Sequence, residues 1–251
     1  MVGGVGDLAP PRLRKATTRV SGPPDSPPDR GTEPAEPGPV IGEARWHMAG
    51  AVLAAAFLTL LLPSELRLGP RWLLPFLEGA LLVALIVGDP GRISRRSSIL
   101  RGLSIALVAV LIAQSLWSTF RLIHELIVGG PHTDQPGPLL AAAAIVWVSN
   151  NIAFALLYWE LDGGGAAARA CGLPDHPDLA FPQQMNPDIA PANWRPRFID
   201  YLYLAFTNAT AFSPTDAMPL APWAKVAMTI QASISLAVLG LVVARAANEL
   251  K

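Results

Sequence analysis

From Phe198 to Lys225 the chain reads FIDYLYLAFTNATAFSPTDAMPLAPWAK, and the reading of this stretch decides the fold. Its first half is apolar, but a helix from Arg197 to Thr210 would extend only about 21 Å at ~1.5 Å per residue, against a hydrocarbon core of about 30 Å. It is too short to span. Ser213-Pro214-Thr215-Asp216 ends it, because proline removes a backbone donor and disfavours helix at the residue before it. A second apolar run starts at Trp223. The order predicts an element that dips into a membrane, turns and climbs out again. Such non-helical backbone is tolerated at membrane depth only when buried in protein or lining a water-filled cavity.

The whole composition agrees with a bilayer as solvent. Of 251 residues, 51% are apolar and only 15% charged, with a mean hydropathy of +0.37, whereas about a quarter of an ordinary soluble domain is charged. Net charge is zero, so no basic surface points to nucleic acid, and the arginines fall in blocks that bear on topology instead. The single Cys171 cannot form an intrachain disulfide. Abundant Ala, Pro and Arg with few Lys and Asn suggest a GC-rich bacterial genome.

Working outward, five apolar segments each approach the length needed to cross a membrane: His47 to Leu62, Trp72 to Gly88, Ile99 to Val128, Pro138 to Leu161 and Trp223 to Ala247. The fold class expected is therefore all-α integral membrane, with five transmembrane helices and one short re-entrant helix between the last two. Trp72, Trp147, Tyr158, Trp159 and Trp223 include residues at span ends, where amphipathic rings favour the interface. Residues 1–45 are rich in proline, with pairs beginning at Pro10, Pro23 and Pro27, and too poor in large apolar side chains to offset chain entropy. A disordered tail is expected there, without the apolar core of a signal peptide. Residues 46–129 form a three-helix membrane region and 137–251 a pore-like module. No internal repeat supports a transporter built on paired halves.

Tyr203, Phe206, Thr210 and Asp216 coincide, without gaps, with the pore helix and filter of two-helix potassium channels (YFSFVTLTTVGYGD), which the stretch resembles; a long apolar helix follows in both. The filter pentapeptide TVGYG falls on Ala211, Phe212, Ser213, Pro214 and Thr215, so the glycines that let successive carbonyls face the ion are absent. The resemblance implies a pore module without potassium selectivity. Phe181-Pro182 and the Tyr201 to Phe206 helix are also similar to uncharacterised bacterial multi-pass proteins, a domain of unknown function with a non-GYG filter. That likeness covers roughly residues 48 to 250.

With five spans the termini lie on opposite faces. The tail arginines (Arg12, Arg14, Arg19, Arg30, Arg45, with Lys15), the Arg92, Arg95 and Arg96 loop, and the re-entrant turn share one face by parity, while the other has Arg67 and Arg71 in its first loop and Lys251 at the end. The positive-inside rule places the N-terminus in the cytoplasm. The expected location is the bacterial inner membrane, with the re-entrant segment entering from the cytoplasmic side, as in the inverted pore of ionotropic glutamate receptors.

Around the turn, Thr207, Asn208, Thr210, Ser213, Thr215 and Asp216 supply hydroxyls, an amide and a carboxylate at the partially negative end of a helix. With Ala211, Phe212 and Pro214 they are the pore and filter candidates. In a homotetramer each would become a ring suited to monovalent cations. The blander alternative is that they only cap the helix. Glu78, inside the second span, is an intramembrane carboxylate; Arg121 or His124 could pair with it, or Arg121 could pair with Glu125 on its own helix. Asn150 and Asn151 are expected to hydrogen-bond across helices. Gly240 reads as a hinge or as a close-packing position. Asp175, Asp178 and Asp188, in the loop before the short helix, could draw cations to a mouth or simply be solvated. No zinc-hydrolase motif, nucleophile elbow or phosphate loop is present, so neither catalysis nor a cofactor is expected. The sequence thus predicts a degenerate, channel-like pore; the alternative is a non-conducting membrane scaffold that keeps the pore fold.

Overall fold

The computed structural model describes residues 1, 3, 42–91, 93, 97–129, 136–171, 176–191, 194–210 and 217–249. Residues Pro39–Lys251 form one compact unit, mostly helical. Its elements are α1 (Trp46–Leu61), α2 (Leu73–Gly88), α3 (Ser98–Val128), α4 (Pro136–Leu161), the short α5 (Ala166–Ala170) and α6 (Pro182–Met185), α7 (Phe198–Thr210) and α8 (Pro222–Glu249). Two short strands, β1 (Leu179–Ala180) and β2 (Met218–Pro219), pair antiparallel.

Among the described residues, three helices are long and apolar enough to cross a membrane: those containing Ser98–Val128, Gly137–Gly164 and Pro222–Arg245. Helices α1 and α2 are apolar but have 16 residues each, roughly 24 Å at ~1.5 Å per residue. Pro63 stops α1 by excluding further helix, and the extended Asp89 stops α2.

Beside an apolar core, the bundle buries many uncharged polar side chains and leaves many large apolar ones exposed. Gln114, Ser115, Ser118, Thr119, Asn150, Asn151, Gln231 and Ser235 are buried, while Phe57, Phe76, Val87, Ile99, Phe120, Val226, Leu236 and Val243 are exposed. Helices in hydrocarbon gain nothing by hiding leucine from their solvent, but they gain by giving each amide or hydroxyl a partner inside the bundle.

Two apolar clusters mark the ends of the bundle. One joins α1, α2, the first half of α3, the second half of α4, α7 and the start of α8, through residues such as Val52, Leu85, Leu107, Leu156 and Leu204. The other joins the end of α1 to Leu122, Leu139, Val146 and Val238. Each cluster therefore draws on both residues 46–129 and residues 137–251. At the first end, Gly42 to Arg45 join the bundle: Arg45 pairs with Asp89 at 3.0 Å, and the Ile93 amide donates to the Glu43 carbonyl at 3.0 Å. Most of the tail lies outside the described residues.

The loop after α4 is more structured than its glycines and prolines suggest, since it carries α5, α6 and β1. By pairing with β2, β1 clasps the chain before α7 to the chain after it.

Candidate functional site

Helix α7 has 13 residues and packs chiefly on α4 and α8. Its course follows from two edge-to-face ring pairs. Phe198, at its start, meets Trp159 with centroids 6.3 Å apart; Phe206, two turns on, meets Trp147 at 5.7 Å. The helix therefore enters beside the C-terminal end of α4 and runs antiparallel to it over roughly 18 Å, at ~1.5 Å per residue. By Met218 the chain is back at the end where α7 began: Ala180 pairs with Met218, and the amides of Leu220 and Ala221 donate to the Asp178 carbonyl.

Four polar side chains fix the entry. Glu43 Oε1 accepts from the Phe198 amide at 2.6 Å and its Oε2 from the Trp159 indole at 2.8 Å, so a carboxylate from before α1 caps the positive end of α7. Asp162, fully buried, accepts from the amides of Asp178 and Leu179 at 3.0 Å each, and from the Tyr201 hydroxyl. Arg169 donates to the carbonyls of Trp159 and Asp162 and sets its guanidinium 5.0 Å from the Tyr201 ring centre. Asp178, a candidate mouth acid, accepts from the Gly163 amide at 3.0 Å, which ties it into this knot. Asp188 is exposed, and Asp175 lies outside the described residues.

Deeper in the bundle, Gln231 of α8 connects three helices. It is fully buried; its Oε1 accepts from Tyr158 of α4 at 2.7 Å and from Asn208 of α7 at 2.8 Å, and its Nε2 donates to the Ala205 carbonyl at 2.9 Å. Asn208 also donates to the Met228 carbonyl at 2.9 Å. The structure therefore assigns Asn208 a bridging position between α7 and α8. The hydroxyls of Thr207 and Thr210 donate back to carbonyls of their own helix, from Tyr203 and Leu204 for the first and Thr207 for the second. A hydroxyl that donates in this way keeps lone pairs for water or a cation. Ala211, Phe212, Ser213, Pro214, Thr215 and Asp216 lie outside the described residues.

The charged side chains Glu78 and Arg121 are placed differently from the pairings considered in the sequence. Glu78 is fully buried in the α2 stripe Leu74, Glu78, Leu82 and Leu85, and neither of its carboxyl oxygens has a hydrogen-bond partner among the described residues. Arg121 instead donates to the Glu65 carbonyl at 3.0 Å, and His124 stacks on Phe120. Arg121 sits near the far end of the bundle because Trp117, one turn before it, already reaches the Arg67 carbonyl. Asn150 does bridge helices, donating to Ser115 of α3 at 3.2 Å, whereas Asn151 donates to the Trp147 carbonyl of its own helix. Gly240 is exposed, and nothing lies within 4 Å of where its Cβ would stand, so within one chain it is not a point of close helix approach.

Around the depth reached by α7, Trp147 Nε1, Asn150 Oδ1, Asn151 Oδ1 and Ser235 Oγ are buried without hydrogen-bond partners among the described residues. An indole nitrogen, two amide oxygens and a hydroxyl of this kind can each hydrogen-bond a water. Among the described residues no cluster of His, Cys, Asp or Glu is arranged to hold a metal ion. Glu43, Asp162, Arg169 and Gln231 were not singled out from the sequence. The available signals were Gln231 inside an apolar span and Asp162 at the end of another.

No family model, curated protein or solved structure matches the chain. The resemblance to a potassium-channel pore module rests on the residues that carry it.

Proposed function

We propose that the protein is a five-span protein of the bacterial inner membrane in which α7 is a re-entrant helix, and that four copies arrange their α7 hairpins around a common axis as a channel-like pore for monovalent cations. The observation that carries this reading is the path of α7: in beside α4 to the depth of Trp147, and back to β1 at the same end. The unpartnered polar atoms at that depth favour a wet interior. Helices α1 and α2 serve as spans through local thinning of the bilayer or flanking polar residues. The arginine-bearing end, with Arg45, Arg101 and Arg169, faces the cytoplasm in this reading.

A second reading, a non-conducting scaffold that keeps the pore fold, is favoured by one specific observation. Asn208, Gln231 and Tyr158 satisfy one another, so this part of α7 has structural partners already. Ion flux into liposomes carrying the purified oligomer separates the two readings. Cation flux reduced or altered in preference by Asp216→Asn and by Thr210→Ala, with assembly intact, supports the pore. Absence of flux from a correctly assembled oligomer supports the scaffold.

A further inference from the structure

Helix α7 (FIDYLYLAFTNAT) presents three different faces along its length. Phe198, Tyr201, Leu204, Ala205 and Ala209 are buried in the bundle, while Ile199 and Phe206 are apolar and exposed. Between these two faces runs a third. Asp200, Tyr203, Thr207 and Thr210 are spaced three, four and three residues apart, so at ~3.6 residues per turn they share one sector about 80° wide. Every side chain in it ends in oxygen. Tyr203 is exposed and the other three are half-buried.

A cavity of about 70 Å³ lies along this sector, with Asp200, Tyr203 and Thr207 on one side and Phe181, Pro182 and Gln183 on the other. It follows α7 for about 10 Å from the end at which the helix enters, at ~1.5 Å per residue. At a water's share of roughly 30 Å³, it has room for an ion with a water beside it. The oxygens remain able to accept. Thr207 and Thr210 donate their protons to carbonyls of their own helix, which leaves both hydroxyls as acceptors. Asp200 uses Oδ2 on the Arg197 amide at 2.7 Å, and its other oxygen has no hydrogen bond or ion pair among the described residues. With Glu43 on the Phe198 amide, two carboxylates thus meet the positive end of α7. Neither α6 nor α7 contains a lysine or arginine, and the sequence from 211 to 216, AFSPTD, has none either. Arg197, just before α7, and Lys225, in the first turn of α8, are exposed, and neither forms an ion pair with Asp200.

We propose that this cavity binds a monovalent cation, with Asp200 as its charged ligand and the hydroxyls of Tyr203 and Thr207 as neutral ones. Among the described residues that line it, Asp200 is the one carboxylate, and it balances a single positive charge. Calcium takes roughly six to eight oxygens, several of them from carboxylates. Thr210 continues the row of oxygens toward the turn after α7. The use of the site rests on the pore reading, in which it stands at the entrance and raises the local concentration of cations. Binding itself requires no conduction.

The test follows thermal unfolding of the full-length protein in detergent as choline chloride is replaced by sodium, potassium or calcium chloride at constant ionic strength. At about ten times the Kd of the monovalent ion, Tm should rise by roughly 3–6 °C. Asp200→Asn keeps an oxygen for the Arg197 amide, so it should fold, and it should weaken binding roughly tenfold. Tyr203→Phe, at a position 59% exposed, should weaken it about threefold. No rise beyond that in choline, or a full rise retained by Asp200→Asn, overturns the site. A rise from calcium at lower concentration than from sodium or potassium overturns the monovalent ion as occupant. Flux into liposomes separates the site from the pore. At ~10 mM salt Asp200→Asn should cut cation flux several-fold, and at ~1 M much less, because salt screens an exposed charge. A rise in Tm without flux keeps the site and removes the pore, whereas flux without the rise keeps the pore and removes the site.

Discussion

Replacing Gln231 by leucine tests the polar junction that holds α7 in place. The two side chains are close in volume, so the change removes hydrogen bonds with little cavity. Three bonds are lost: those from Tyr158 and Asn208 to the side-chain oxygen, and that from its nitrogen to the Ala205 carbonyl. On water-soluble reasoning, stranding a buried hydroxyl and an amide costs about 1–3 kcal/mol each. Hydrogen bonds between helices in a membrane average only about 0.6 kcal/mol, because the separated helices find other partners there. With Gln231 fully buried and three bonds involved, about 2 kcal/mol is expected, a fall in Tm of roughly 4–8 °C. The decisive assay is a double-mutant cycle with Asn208→Leu, read by thermal unfolding of the purified protein. Coupling of about 1 kcal/mol is expected because both residues belong to one network. Costs that simply add would refute the direct Asn208 to Gln231 contact and return Asn208 to the pore candidates.

Tyr201→Phe removes a donor to the buried Asp162 carboxylate, and since bonds to charged groups contribute about 1.5–3 kcal/mol, Tm should drop by roughly 3–10 °C; an unchanged melting curve would mean that this bond does not anchor α7. Orientation can be read in intact cells by placing a lone cysteine at Pro191 in a Cys171→Ala background. Shielding from impermeant thiol reagents is expected, and labelling from outside would restore the orientation of a potassium channel.

The sequence by itself determined the helical elements, because hydropathy is a local quantity. Apolar runs from Ile99, Pro138 and Trp223 each became long helices, and Pro214 together with the brevity of the preceding run marked α7 as an element unable to cross. The apolar outer surface also follows from composition, since so few charges cannot cover a surface of this size. Tertiary structure decided which polar groups meet. Glu43 caps α7 from 155 residues away, Tyr158 reaches Gln231 across 73 and Tyr201 reaches Asp162 across 39, and no local spacing encodes such encounters. Nor does helix periodicity give depth: it tells which residues share a face of α3, but not that Arg121 lies level with Glu65. That register is fixed where α3 meets the chain between α1 and α2, by Gln114 on the Leu68 amide, Trp117 on the Arg67 carbonyl and Arg121 on the Glu65 carbonyl. A hydrogen bond in an apolar interior forms only between the groups such packing brings within about 3 Å, so the role of each polar residue was fixed by the assembled bundle.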